Sequence, residues 1–300
     1  MKRILVLILC ALLLVSCSDG SSSGGNLPSI NNTQDARSEE NVYEAYGEGY
    51  KLVTLGRVNA GQPTITVPDT YEGLPVVAIG EKVFSKFVNV ETIVIPDSVT
   101  EIGKCAFEGC TSLRSVNIPL GVTTLHSATF IDCVSLKQIT LPDSITVIEG
   151  ECFKGCTSLK NFTVPASVTE IRGNCFEDCT SLESVILGDN ITSINGYAFK
   201  NCTSLKGVVL PGGITEIRGN CFENCTSLEN IIIPDGVWRI AAHSFHGCVK
   251  LKSVYVPDSV TEIGSSAFRG CTSLKSIEIP DGDSVEGNSF KDSPTKITYK

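Results

Sequence analysis

The sequence predicts a mainly β solenoid of about ten 23-residue coils, with a parallel sheet on the concave face and short extended segments on the opposite side. Three observations predict it. A phenylalanine returns every 23 residues, at Phe84, Phe107, Phe130, Phe153, Phe176, Phe199, Phe222, Phe245 and Phe268, with Phe290 one residue early. Around each lies nearly the same run, best read from Val99 to Pro119, VTEIGKCAFEGCTSLRSVNIP. Within each run, apolar residues alternate over a short stretch that ends at proline. One such unit cannot bury its apolar face alone, but a stack of them can.

The chain opens on an export signal. Lys2 and Arg3 precede an apolar run from Ile4 to Val15, too short to span a bilayer. Leu14-Val15-Ser16-Cys17 resembles the bacterial lipobox, which implies a lipoprotein signal peptide over 1–16 and lipidation of Cys17. More than one acyl chain would anchor the protein stably. Residues 17–41 then form the lipidated N-terminus and a Ser/Gly/Asn-rich tether without apolar period. Residues 42–75 read as an N-terminal cap with a degenerate first repeat, and Val42 to Asn59 suit a small hairpin. The repeats proper span 76–293, and 294–300 reads as a C-terminal cap strand.

The columns say what each position does. Counted from the Phe, the sixth residue is Leu in eight repeats, Leu113 to Leu274. The ninth and eleventh, such as Val116 with Ile118 and Ile231 with Ile233, alternate around position ten, as a strand with one buried face requires. Proline follows and ends the strand, with Gly188 the exception. A second apolar pair, such as Val99 with Ile102, marks the opposite extended segment, and Gly103, Gly173, Gly196, Gly219 and Gly264 turn the chain back. About ten strands at about 4.8 Å spacing predict a sheet near 45 Å long.

These residues resemble the leucine-rich repeat. The pattern AFxxCxSLxxVxIPxSVxxIG more narrowly resembles the BspA-like leucine-rich repeat surface lipoprotein family, over about 76–293 and weakly over 42–75. The resemblance implies an outer-membrane or cell-surface protein that attaches to host matrix proteins, host cells or other bacteria. An envelope scaffold facing the periplasm, without host binding, stays open beside it.

Fourteen cysteines in an exported chain invite a disulfide reading. Eight share the third position after the Phe, from Cys110 to Cys271, where stacking would bring neighbours near bridging distance. However, Phe87 fills that slot in the first full repeat, so the column wants apolar volume. Buried Cys behaves as a small hydrophobe, and a ladder of buried thiols is expected. Cys105, Cys152, Cys175 and Cys221, beside the Phe, read as packing too.

Nothing in the motifs points to catalysis, a cofactor or a metal. The histidines are His126, His243 and His246, and the last two flank the core residue Phe245. Glu101, Glu170, Glu216 and Glu262 share one column and read as a solvated face. A net charge of −9 argues against nucleic acid, so membrane attachment is expected through the N-terminal lipid only. A protein partner is the expectation.

The positions free to bind are those that packing leaves free. Position ten runs Asn117, Thr140, Thr163, Ile186, Val209, Ile232, Tyr255, Glu278. Ile186, Val209, Ile232 and Tyr255 thus predict one apolar stripe about 15 Å long at strand spacing. Position seven runs Arg114, Lys137, Lys160, Glu183, Lys206, Glu229, Lys252, Lys275, a mostly basic rim. Trp238, the single Trp, replaces a column Thr on the other face and is a second candidate contact.

Overall fold

The computed structural model describes residues 40–56, 61–281 and 284–300. The signal segment, Cys17 and nearly all of the tether lie outside the described residues. Among those described, all regular structure is β, wound into about eleven turns with parallel strands between successive turns.

The phenylalanines build the interior. Each from Phe84 to Phe268 is fully buried and stacks on the next, with centroids 5.0–5.6 Å apart and planes within 10°. That spacing suits offset-stacked rings, and each buried ring contributes about 1.5–3 kcal/mol by desolvation alone. The backbone repeats the register. Phe84 N–H donates to Ala106 O (2.9 Å), Phe107 N–H to Thr129 O (2.9 Å), and so on to Phe268 N–H and Ser289 O (2.8 Å). From Phe107 onward the residue before each Phe is small and buried, as Ala198, Cys221 and Ser244 show.

Two residues per coil take the left-handed conformation. One lies two before the Phe, for example Glu151 (φ 61°) and Tyr197 (φ 63°); the other lies two after, for example Asp178 (φ 62°) and Asn201 (φ 58°). The second position is glycine in four coils, Gly109, Gly155, Gly247 and Gly270, and both positions bend the chain. The glycines at 103, 196, 219 and 264 answer a different need, close approach. A Cβ at Gly103 would stand 2.6 Å from Glu81 N, and one at Gly196 would stand 2.9 Å from Gly219 O.

Two parallel ladders flank this interior. One is short-stranded, as in Glu216–Ile217, Arg239–Ile240, Glu262–Ile263 and Ser284–Val285. The other carries positions eight to eleven, and it is not the continuous sheet that the columns predict. It comes in pieces: Thr64–Thr66 with Thr92–Val94 and Ser115–Val116, Asn161–Thr163 with Ser184–Ile186, Asn230–Ile232 with Ser253–Tyr255, and Ser276–Ile279 with Lys296–Tyr299. The coils at 138–140 and 207–209 are unpaired. At position eight of the paired coils, Ser184 Oγ donates to Asn161 Oδ1 (2.7 Å) and Ser253 Oγ to Asn230 Oδ1 (2.6 Å). Gly207 has no such side chain, and glycine weakens a strand. The side chains at 138–140, and at the unpaired step between Ser253–Tyr255 and Ser276–Ile279, offer no comparable cause.

The first described turns differ from the array. Val42–Tyr46 and Gly49–Thr54 form an antiparallel hairpin, and the second strand pairs in parallel with Leu74–Ile79. Tyr71 stacks on Tyr43 (4.2 Å) and meets Tyr50 edge-on (5.0 Å).

Candidate functional site

Strand alternation positions the candidate residues. In Asn230–Ile232 the middle residue points inward and its neighbours outward, so position ten faces solvent. Ile186, Val209, Ile232 and Tyr255 are 64%, 86%, 69% and 52% exposed. Ile232 lies directly beside Tyr255 in the parallel register. Val209, Ile232 and Tyr255 line one groove of 660 Å³, with Gly207 and Val208 in its floor. Lys300 Nζ sits 5.4 Å from the Tyr255 ring centroid and 2.7 Å from Asp258 Oδ1.

Ile186 belongs to a second cleft, of 1080 Å³, that opens at the other unpaired coil. Its rim carries Arg114, Lys137 and Lys160, and Asp143 is the carboxylate among its lining residues. The strands Asn161–Thr163 and Ser184–Ile186 separate the two openings. Ser184–Ile186 serves both, with Ile186 lining the basic cleft and Val185 the apolar one. Among the described residues, the main-chain N–H groups of 138–140 and 207–209 make no hydrogen bond within the chain. Donors of this kind are satisfied by water or by a ligand.

The position-seven column is not uniform. Glu183 accepts from Lys206 (3.0 Å) and Glu229 from Lys252 (2.7 Å), each pair bridging one coil to the next. Those hydrogen bonds hold both carboxyls below the usual range. Arg114 lies 3.7 Å from Glu91. Lys137 and Lys160 stand between these pairs. Among the described residues, neither has a carboxylate within ion-pair distance.

Asn117, at position ten of an earlier coil, does something that its column did not suggest. Its side-chain amide donates to Ile95 O (2.7 Å) and accepts from Ile95 N–H (2.8 Å), so it mimics a missing strand partner.

Trp238 is 45% exposed and its neighbour Arg239 lies 5.9 Å from its ring centroid. It precedes the short strand Arg239–Ile240, in the other ladder, and lines neither cleft. The structure therefore does not join Trp238 to the stripe. The shared glutamate column is occupied by partners: Glu170 by Arg172 (3.4 Å), Glu216 by Arg218 (3.1 Å), Glu262 by Arg239 (2.8 Å) and Glu101 by the Tyr46 hydroxyl. His246 Nδ1 is 3.5 Å from Glu223 Oε1, without a directed hydrogen bond. No group of three His, Cys, Asp or Glu side chains among the described residues is arranged to hold a metal ion.

The ladder cysteines are buried and unbridged. Volume is only part of their role. Cys110 Sγ donates to Phe84 O (3.0 Å), Cys202 Sγ to Phe176 O (3.1 Å), and every ladder cysteine between and beyond repeats the contact through Cys271 and Phe245 O (3.2 Å). In the last coil Ser293 Oγ takes the slot and donates to Phe268 O (2.7 Å). The column is a small donor facing a buried carbonyl. Phe290 and Ser293 together carry that signal in the sequence. Burial pushes the thiols well up, to about 12 for Cys271.

A family profile described as "BspA type Leucine rich repeat region" matches in six copies, over residues 77–206 and 169–298. The chain belongs to the BspA-type leucine-rich repeat family. Among solved structures, this BspA-type chain is similar to the T. pallidum leucine-rich repeat protein TpLRR, at 30% identity and TM-score 0.58, covering 63% of this chain and 87% of that one. A leucine-rich cell surface protein of Faecalibacterium prausnitzii (24% identity, TM-score 0.52) aligns over 86% of this chain and 92% of its own. A leucine-rich repeat protein of Bacteroides ovatus (24%, 0.52) aligns over 89% and 100%. These last two likenesses show the fold alone. No curated protein matches. Among the described residues, no helix is long and apolar enough to cross a membrane.

Proposed function

We propose that this BspA-type chain is a lipid-anchored, surface-exposed binding protein, held through Cys17, that engages a protein partner on host matrix, a host cell or another bacterium. One observation carries the binding role. Val209, Ile232 and Tyr255 stand exposed together over an apolar groove, where packing asks for nothing of them. Contiguous exposed apolar groups mark interfaces, and Tyr is favoured at their centres. The arrangement suits binding rather than catalysis, since the column carboxylates are taken up by ion pairs. Surface exposure is supported by the lipobox resemblance and by the match to the BspA-type family.

Two experiments test the two halves. Protease treatment of intact cells should cleave the protein; a protected chain would leave the envelope-scaffold reading in its place. Changing Ile186, Val209, Ile232 and Tyr255 together to Ser or Thr should abolish adhesion to matrix or cells with the unfolding midpoint preserved. Undiminished adhesion by that folded variant removes the stripe as the site.

A further inference from the structure

From the two adjoining clefts we infer the chemistry of the partner: an extended peptide segment with acidic residues at one end and an aliphatic or aromatic anchor at the other. This rests on the binding reading above and goes further, because it assigns a second, charged subsite. In the position-seven column each glutamate is neutralised by the lysine of the following coil, Glu183 by Lys206 and Glu229 by Lys252. Lys137, Lys160 and Lys275 have no carboxylate within ion-pair distance among the described residues, and of these Lys137 and Lys160 stand on successive coils and line the larger cleft. In a chain of net charge −9, two adjacent lysines without carboxylate partners make a local site for a negative group.

The same cleft runs to Ile186, and the apolar groove begins at Val185, the residue before it in the same strand. One ligand lying along the solenoid thus meets cations first, then Ile186, then Val209, Ile232 and Tyr255. A peptide offers carboxylates and apolar side chains in one molecule; an acidic polysaccharide offers only the charge. The free main-chain donors at 138–140 and 207–209 provide further hydrogen bonds for a peptide carbonyl at each opening. From the Lys137 coil to the Val209 coil is three steps, about 14 Å at strand spacing. An extended chain covers that in about four residues.

The test uses the purified full chain in detergent and fluorescence polarisation of a short labelled peptide. The peptide carries a run of glutamates, a Gly/Ser spacer of about four residues and an Ile-Tyr pair. It should bind, weaken with added salt, and lose about tenfold in affinity to the variant Lys137→Glu/Lys160→Glu. Lys206→Glu, within a neutralised pair, should leave binding nearly unchanged. A peptide with lysines for glutamates, or with serines for Ile-Tyr, should bind poorly. No binding of the acidic-apolar peptide, equal binding by Lys137→Glu/Lys160→Glu, or binding of polyglucuronate in its place would each overturn the inference. Loss of adhesion in the stripe variant combined with no peptide binding would leave the adhesive reading standing and remove this one.

Discussion

The phenylalanine side of each coil and its strand face are built from the same repeat, yet they obey different rules. On the phenylalanine side the hydrogen-bond register from Phe84 to Phe268 has no gap, and every ladder thiol finds its carbonyl. On the strand face the ladder stops and restarts, side chains vary, and two clefts open where it stops. The difference teaches that the solenoid takes its cohesion from one side. The other side is thereby free to vary in charge and shape. Neighbour-to-neighbour stability of this kind is general in repeat proteins.

The largest expected effect is collective and alkaline. A buried thiol binds its proton more tightly in the folded chain than in the unfolded one. Its contribution is complete below the unfolded thiol range, about pH 8.5, and is lost as pH rises through the folded value, about 12 for Cys271. Denaturant midpoints should hold steady to about pH 8.5 and then fall steeply; a flat profile to pH 11 would show that the thiols are not sequestered. Next, Phe199→Ala should cost about 3–5 kcal/mol in denaturant unfolding, whereas Val209→Ser should stay within about 0.5 kcal/mol. Comparable losses from both would erase the distinction between the two sides. Cys202→Ala, which removes the donor to Phe176 O, should cost about 2 kcal/mol. Cys202→Ser should cost less, since Ser293 makes the same bond; the reverse order would reduce the column to volume alone. Smallest, Asn117→Ala should cost about 1 kcal/mol and speed amide exchange at Ile95 specifically.

Much of this was legible in the sequence, because each repeat is aligned against its neighbours. The Phe, Leu and strand columns specify the coil, and position ten falls outside exactly as alternation requires. Other features were hidden for physical reasons. The turn glycines look like conformational pivots, but Gly103 and Gly196 are small because a neighbouring backbone passes within 3 Å of where a Cβ would stand. The cysteine column looked purely apolar because Phe87 shares it; its donor role needed the carbonyl of the coil before. The lysine column looked like one basic rim. Its division into paired and unpaired cations was readable from Glu183 and Glu229, once coil-to-coil pairing was considered. The ladder breaks were readable only at Gly207. The separation of Trp238 from the stripe, by contrast, was legible, because it replaces a column Thr on the opposite face, just before Arg239–Ile240.

Hydrogen exchange of the full chain, resolved to single amides, tests the central claim most directly. Phe199 and Asn201 donate to the next coil at 2.9 and 2.8 Å and should exchange slowly. Gly207, Val208 and Val209, a few residues along the same coil, should exchange near the rate of an unstructured chain. Uniform protection across residues 199–209 would contradict the account, because it would mean that the strand face is as continuously bonded as the phenylalanine side.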